Sequence, residues 1–477
     1  MTIENIDVSG TLERVKKQLE EDHEISEATR SLIEILVLIV TLLVNRLGLN
    51  SRNSSKPPSA DLNRKKVPRN GNKKAKGGQK GHKGSTLVKV ADPDIIEELS
   101  IDQRTLPRGE YKNAGYETRQ VFDIQISRMV TEYRAEILED ENGNRFVAEF
   151  PAGITQSAQY GAGVKAHAVY MSQFQLLPYR RITDYFAEQM GFPLSSGTLF
   201  NFNQCAYDSL EGFEALAKQK LIDAAQAHAD ETGINVGGKR LWLHCFSNDR
   251  WTMLFPHEKR GSDAMEALGI LPHFGGTLCH DHWKPYYKYD CDHALCNAHH
   301  IRELTCAFEQ YEQQWAMAMQ NLLEEINVKT IEAGGALNAQ QQEAYRLKYR
   351  TLIAEADVEC PPPKEKREKG QRGRIKKTKP RNLLERLRDY EVDTLRFMTS
   401  AEIPFTNNQG ERDIRMTKVQ QKISGCFRSM NGTQIFCRVR SYISTCKKHG
   451  ISATTALALL FEGKLPDFDS YFNQPAE

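Results

Sequence analysis

The sequence predicts an α/β protein: a mixed sheet with flanking helices and a helical insertion, preceded by an N-terminal helix, a basic linker and a small β-rich unit. Three observations lead there. Between residues 223 and 308 apolar residues alternate over short runs, then recur at helical spacing, then alternate again. Residues 309–399 carry two helical apolar stripes around a basic run. The first 92 residues change abruptly from apolar helix to a Lys-, Gly-, Ser- and Asn-rich stretch.

A chain of 477 residues is long enough for roughly two to four domains and a sizeable core. Hydrophobic content of 40% and charged content of 26% place most of it among soluble, folded proteins. The net charge of +2 hides two concentrated basic runs. All ten cysteines fall between Cys205 and Cys446, without the density of a disulfide framework. The N-terminus, Met1 to Asp7, is acidic and lacks the basic start of a signal peptide. A reducing cytoplasm is the expected location.

In residues 1–49, Ile33, Leu36, Val40, Leu43 and Leu47 keep the three-and-four spacing of a heptad seam. The apolar run Ile35 to Val44 is too short for a membrane span of about 20 residues, and Glu34 and Arg46 flank it. Self-association is the expected use of this surface, with packing on the chain's own body as the alternative. In residues 50–92, Arg64, Lys65, Lys66, Arg69, Lys73, Lys74, Lys76, Lys80 and Lys83 face only Asp61 up to about Lys89. Such a segment buries too little apolar surface to offset its ordering entropy, so a flexible linker that meets DNA phosphates is expected. A solvated tether is the bland reading.

Residues 93–155 read as β-rich, with Val121, Ile124, Ile126 and Val130 in extended sequence and a hairpin turn at Asn142-Gly143. Residues 156–222 read as helical. Within them Arg181–Met190, Gly191-Phe192-Pro193 and Ser195–Phe200 have the order helix, turn, helix. That suits either a groove-reading unit or a plain helical hairpin.

The core, 223–425, opens near Ala224. Leu241, Leu243 and Cys245, then Met253 and Phe255, predict paired strands turning at Ser247–Arg250. A helix over Ser262–Leu271, short strands at Thr277–Cys279 and Asp292–Cys296, and a helix over 298–308 follow. In the insertion, Trp315, Met319, Leu322 and Ile326 fit one helix and Leu383, Leu387, Tyr390 and Leu395 another. Between them Arg372, Arg374, Lys376, Lys377, Lys379 and Arg381 predict an exposed basic loop. Residues 426–477 read as C-terminal helices striped by Val439, Tyr442, Ile443 and Cys446, then Leu457, Leu459 and Leu460.

Asp230, Asp281 and Glu411 each have an ordinary reading. Asp230 is a polar strand-end residue, Asp281 a loop acid beside His280 and His282, and Glu411 the partner of Asn408 in a helix capping box. Glu411, Arg415, Lys418 and Lys422 share one helix face, suited to DNA or to internal ion pairs. Cys291, His293, Cys296 and His299 are four zinc-type ligands at non-standard spacing, and Asp290 with Asp292 is a further acidic pair.

Several strings occur together and in order: Leu49-Asn50-Ser51-Arg52-Asn53-Ser54-Ser55-Lys56-Pro57-Pro58-Ser59, Gly77-Gly78-Gln79-Lys80-Gly81-His82-Lys83-Gly84, His228–Gly233, Cys279–Tyr286, Leu295–His300, Asn407–Arg415 and Lys422-Ile423-Ser424-Gly425. In these the chain resembles the DDE transposases of bacterial insertion sequences, specifically the IS66 family. The resemblance implies a ribonuclease-H-like core, with strand–strand–strand–helix–strand–helix–strand order. It also implies a catalytic triad of Asp230, Asp281 and Glu411 around two divalent ions, Mg²⁺ or Mn²⁺, with His299 auxiliary. Zinc is not expected. Many relatives carry paired cysteines, like a zinc ribbon, in the β-rich region; this chain has no cysteine before Cys205.

The implied activity is end binding by Lys65, Lys66, Lys73, Lys74, Lys76, Lys80, Arg415, Lys418 and Lys422, metal-dependent cleavage, and attack of the freed 3′-hydroxyl on target DNA. DNA, further copies of the chain and accessory proteins of the same element are the implied partners, with no membrane. A DNA-binding regulator without catalysis and a metal-dependent nuclease without strand transfer are the alternatives.

Overall fold

The computed structural model describes residues 2–3, 6–22, 25–54, 61, 87–363 and 377–468. Lys65, Lys66, Lys73, Lys74, Lys76 and Lys80, and Arg372, Arg374 and Lys376 of the second basic run, lie outside the described residues.

The chain opens with two-residue strands β1 (Thr2–Ile3) and β2 (Ile6–Asp7), then α1 (Val8–Glu21) and α2 (Glu27–Leu47). The helix expected over the first 49 residues is therefore two helices. Ser26 caps the second, its side chain accepting from the Thr29 N–H. Arg30 closes the hairpin by donating to the carbonyls of Leu19 and Asp22. The face turned inward runs through Ile33, Val37, Thr41 and Val44, with Leu19 and Val37 buried. Most of the expected seam points outward: Leu36 is 59%, Leu43 54% and Leu47 51% exposed. Past α2, Asn50 and Asn53 exchange backbone-to-side-chain hydrogen bonds. Asn53 Nδ2 also donates to Glu309 at 2.8 Å, tying the hairpin to the core.

Of the β-rich unit only the hairpin β3 (Ile137–Glu139) and β4 (Arg145–Val147) forms, turning at Asn142-Gly143. The Asp140 carboxylate accepts from the N–H groups of Asn142 and Asn144 and shapes that turn. Val121, Ile124 and Val130 lie in irregular backbone and are 92%, 83% and 82% exposed. Their β-propensity has no partner strand or core to act against.

Four helices follow: α3 (Ala162–Val169), α4 (Tyr179–Gln189), α5 (Ser196–Ser209) and α6 (Glu211–Ile222). Helix α5, the candidate groove reader, buries Leu199, Phe202, Asn203 and Ala206. Its exposed residues, Ser196, Gly197, Asn201, Cys205, Asp208 and Ser209, include no cation. Helix α4 beside it exposes Arg180 and Arg181.

Strands β5 (Gln226–Val236), β6 (Lys239–Ser247), β7 (Thr252–His257), β8 (Thr277–His280) and β9 (Asp292–Leu295) form one mixed sheet in the order β7-β6-β5-β8-β9. The first three are an antiparallel meander; β8 and β9 run parallel to β5. Helix α7 (Ser262–Leu268) joins β7 to β8, whereas only a 3₁₀ segment, Lys284–Lys288, lies between β8 and β9. Helix α8 (Asn297–Tyr311) leaves the sheet into the insertion.

The insertion folds as α9 (Gln314–Glu332), α10 (Ala339–Glu359), α11 (Lys379–Asp389) and α12 (Glu391–Leu395) around a core of its own, shared with Leu304 and Ala307 of α8. Helix α10 buries only Tyr349, Ile353 and Ala356, too few for a readable stripe. Its legible signal is the Asn338–Gln341 capping box. Arg381, expected in an exposed loop, is buried and pairs with Asp357 at 2.6 Å and Glu385 at 3.0 Å.

Three helices close the chain: α13 (Asn408–Ser424), α14 (Met430–Lys448) and α15 (Ala453–Phe461). Helix α14 covers the free edge of β7. Ser441 Oγ accepts from Leu254 N–H at 2.8 Å, and Thr445 Oγ1 from Thr252 N–H at 3.1 Å. One apolar core takes in α3–α6, the sheet, α14 and α15. The helical stretches on either side of the sheet in sequence therefore share its core. Among the described residues no helix is long and apolar enough to cross a membrane.

Candidate metal centre and nucleic-acid face

Strands β5 and β8 run parallel with His228 opposite Cys279. Asp230 follows two residues on in β5, and Asp281 stands just past the end of β8, near enough for its charge to act on Asp230. At the other end of the pair, where β8 begins, a Cβ at Gly276 would lie 2.4 Å from the Ala224 carbonyl oxygen. Glu411 arrives from α13. A Cβ at Gly410 would lie 3.4 Å from Asp230 Cβ, so the glycine lets the first helical turn rest on the strand.

The anchor of that turn is Asn407, which is 2% exposed. Its Nδ2 donates to the Ala229 carbonyl at 2.8 Å, and its Oδ1 lies 2.7 Å from His228 Nδ1. Since Oδ1 only accepts, His228 carries its hydrogen on Nδ1. The Asn407 N–H donates to Cys296 Sγ at 3.1 Å. The capping-box reading of Asn408 and Glu411 fails, because Asn407 is the N-cap and its side chain is spent on β5. No local pattern in the sequence marks Asn407 for this part. Its partners lie 179 and 178 residues away.

Asp230 accepts one backbone N–H, from Glu231, and Asp281 accepts one from Trp283. Among the described residues neither acid, nor Glu411, has a cation within ion-pair distance. Burial, with repulsion from Glu231, Asp281 and Glu411, pushes the Asp230 carboxyl up to about 8. Half-buried carboxylates left without a counter-charge fit a divalent cation with oxygen ligands. Glu231, equally buried, is occupied: Tyr286 donates to it at 2.6 Å and Arg260 pairs with it at 2.6 Å. Arg260 in turn lies 4.9 Å from the ring of Trp242 and 4.4 Å from that of Trp283.

His299 lies beside Glu411. One ligand atom from each of Cys296, His299 and Glu411 falls within 4.8 Å of the others, and among the described residues no other group of three is so placed. Asp230 and Asp281 adjoin this group without belonging to it. The four-ligand set of Cys291, His293, Cys296 and His299 does not assemble, since His293 Nδ1 turns to His280 Nε2 at 3.0 Å. Asp292 is engaged by Arg396 at 3.0 Å.

Along α13, Ile414 and Thr417 are buried, while Arg415, Lys418 and Lys422 are exposed on the face that begins with Glu411. Lys418 donates to the Gly233 carbonyl. Among the described residues none of the three makes an ion pair, so the internally paired face does not form.

A family model described as "Transposase IS66 family" matches residues 157–435, more than half of the chain, and takes in the sheet, the acids and the insertion. A second, described as "Family of unknown function (DUF6444)", matches residues 11–87, from within α1 into the basic stretch. No curated protein matches the chain.

Proposed function

The chain belongs to the IS66 family of transposases, and on that premise we propose that it binds the ends of an insertion sequence, cleaves there and joins the freed 3′ ends to target DNA. The observation that carries this is the unpaired, half-buried carboxylate of Asp230 beside Asp281 and Glu411. The sheet order, a three-stranded antiparallel meander followed by two parallel strands, supports reading the core as ribonuclease-H-like. Asp230, Asp281 and Glu411 would hold two divalent ions, Mg²⁺ or Mn²⁺. Such ions supply charge neutralisation at the scissile phosphate and a more acidic attacking group.

The protein's own residues do the positioning. Asn407 and Gly410 hold the first turn of α13 against β5 and so fix Glu411. Arg415, Lys418 and Lys422 seat phosphates along the same face, and His299 stands by Glu411 toward phosphate or water. Water and then the 3′-hydroxyl attack phosphorus, so no side chain becomes covalently attached. The ten unbridged cysteines suit a reducing cytoplasm. The deciding experiment incubates the protein with end-sequence oligonucleotides, target DNA and Mg²⁺. Joined products support the proposal; cut but unjoined ends make it a nuclease, and binding without cutting a regulator.

Two further expectations belong to this reading. Replacing Lys73, Lys74, Lys76 and Lys80 with Gln weakens binding to any DNA sequence, and the slope of log K against log salt falls by about 3–4. An unchanged slope leaves the segment as a tether. The outward apolar face of α2 pairs with the same face of a second copy, which would hold two DNA ends in one complex. Val40→Asp with Leu43→Asp then shifts the protein toward monomer in analytical ultracentrifugation and impairs paired-end more than single-end complexes. Sedimentation like the parent protein rules the pairing out.

A further inference from the structure

We propose that Cys296, His299 and Glu411 form a soft-metal site that takes Zn²⁺ or Cd²⁺ and, when filled, withdraws Glu411 from Asp230 and Asp281. The three come from two helix starts. Cys296 immediately precedes α8, His299 lies in its first turn, and Glu411 lies in the first turn of α13. The starts are tied to each other, since the Asn297 N–H donates to the Phe405 carbonyl at 3.1 Å and the Asn407 N–H to Cys296 Sγ at 3.1 Å. The ligand atoms lie within 4.8 Å of one another. Zinc bonds of about 2.0–2.3 Å need ligand atoms roughly 3.3–3.8 Å apart, a closure of about 1 Å that side-chain rotation supplies.

His299 Nδ1 is buried and has no hydrogen-bond partner, so the ring is not fully committed within the protein. Thiolate, imidazole and carboxylate together select zinc or cadmium over Mg²⁺, which prefers oxygen alone, and three protein ligands leave a fourth position open. Asp230 and Asp281 offer only oxygen and stay with the hard-metal site. Glu411 is the one residue that both sites claim, so filling the soft site opposes the cleavage proposed above. That consequence rests on the proposed function; the site itself does not.

The test titrates the metal-free full-length protein with Cd²⁺ alone and follows thiolate-to-cadmium charge-transfer absorbance. The signal is taken as the difference from Cys296→Ser, which removes the background of the other cysteines. One equivalent of this absorbance is expected in the parent protein. It should weaken about tenfold or more in affinity in His299→Ala and in Glu411→Gln. His299 is only partly buried, so its variant carries the test if Cys296→Ser misfolds. Titrations identical in the parent protein, Cys296→Ser and His299→Ala overturn the site. In a second arm, Zn²⁺ added over Mg²⁺ inhibits cleavage by the parent protein and spares Cys296→Ser. Cadmium binding as expected with cleavage indifferent to Zn²⁺ overturns the sharing of Glu411. Cadmium binding with no Mg²⁺-supported cleavage at all counts against the transposase mechanism and leaves the soft site standing.

Discussion

Asp230→Ala, Asp281→Ala and Glu411→Gln are each expected to lower single-turnover cleavage of end-sequence DNA by about 10³-fold or more, with DNA affinity held within about threefold. The size follows from what metal coordination contributes to phosphodiester chemistry, several kcal/mol at about 1.4 kcal/mol per tenfold. The proposed function puts phosphate contact on separate cations, Arg415, Lys418 and Lys422 on α13 and the lysines of the basic stretch, so on that reading affinity is spared. Glu231→Gln is the informative control. Glu231 is as buried as Asp230, yet it is committed to Tyr286 and Arg260. Its replacement should loosen that contact and cost far less cleavage than loss of Asp230. Fluorescence anisotropy for binding and gel-resolved cleavage separate the two effects. Full cleavage by the Glu411 variant would remove it from the site.

The second large effect is on stability. Folding raises the Asp230 carboxyl from 3.8 to about 8. A raised acid contributes stability that is fully present below its unfolded value and lost as pH rises through the folded one. The metal-free protein therefore loses stability between about pH 4 and 8, on the order of a few kcal/mol from this group. Asp230→Asn has nearly the same shape and no charge to bury. In EDTA its melting temperature should exceed that of the parent protein by several degrees at pH 8.5, with a smaller margin at pH 5. Mg²⁺ should raise the melting temperature of the parent protein at pH 8.5 and leave Asp230→Asn unmoved. A margin that does not change with pH would mean that Asp230 is not carrying an uncompensated charge.

These outcomes depend on distinctions that different parts of the chain made legible to different degrees. The strands over 241–245 and 252–255 were readable from short alternating apolar runs, although both faces of the sheet are covered: Leu241, Leu243, Cys245 and Leu254 enter one core, and Met253 and Phe255 pack in the other. The stripe of α9 was readable because one face of that helix is buried at helical period, and α14, buried on most sides, still showed Val439, Tyr442, Ile443 and Cys446. Where burial is slight, the pattern fails. Helix α10 reads as polar, and the break between α1 and α2 is marked only by Ser26. Residues Val121 to Val130 have strand-forming side chains and form no strand, since a strand exists only by pairing.

The sequence by itself determined four of the sheet's five strands, all but β5, the three acids to examine and, through its ordered motifs, the family that the match over 157–435 then showed. Tertiary structure decided which charges are free. Asp230 and Glu231 are neighbours of similar type, and only the approach of Tyr286 and Arg260 separates a committed carboxylate from an uncommitted one. Cys296 and His299 open one helix while Glu411 is remote from them in sequence, and the three meet because Asn407 holds α13 to a strand 179 residues earlier. Arg381 looked like one more cation of an exposed loop until Asp357 and Glu385 closed on it. The physical reason is common to all of these. Periodicity records burial along one element, whereas the state of a charged or ligating group is set by what other elements bring within hydrogen-bonding distance of it.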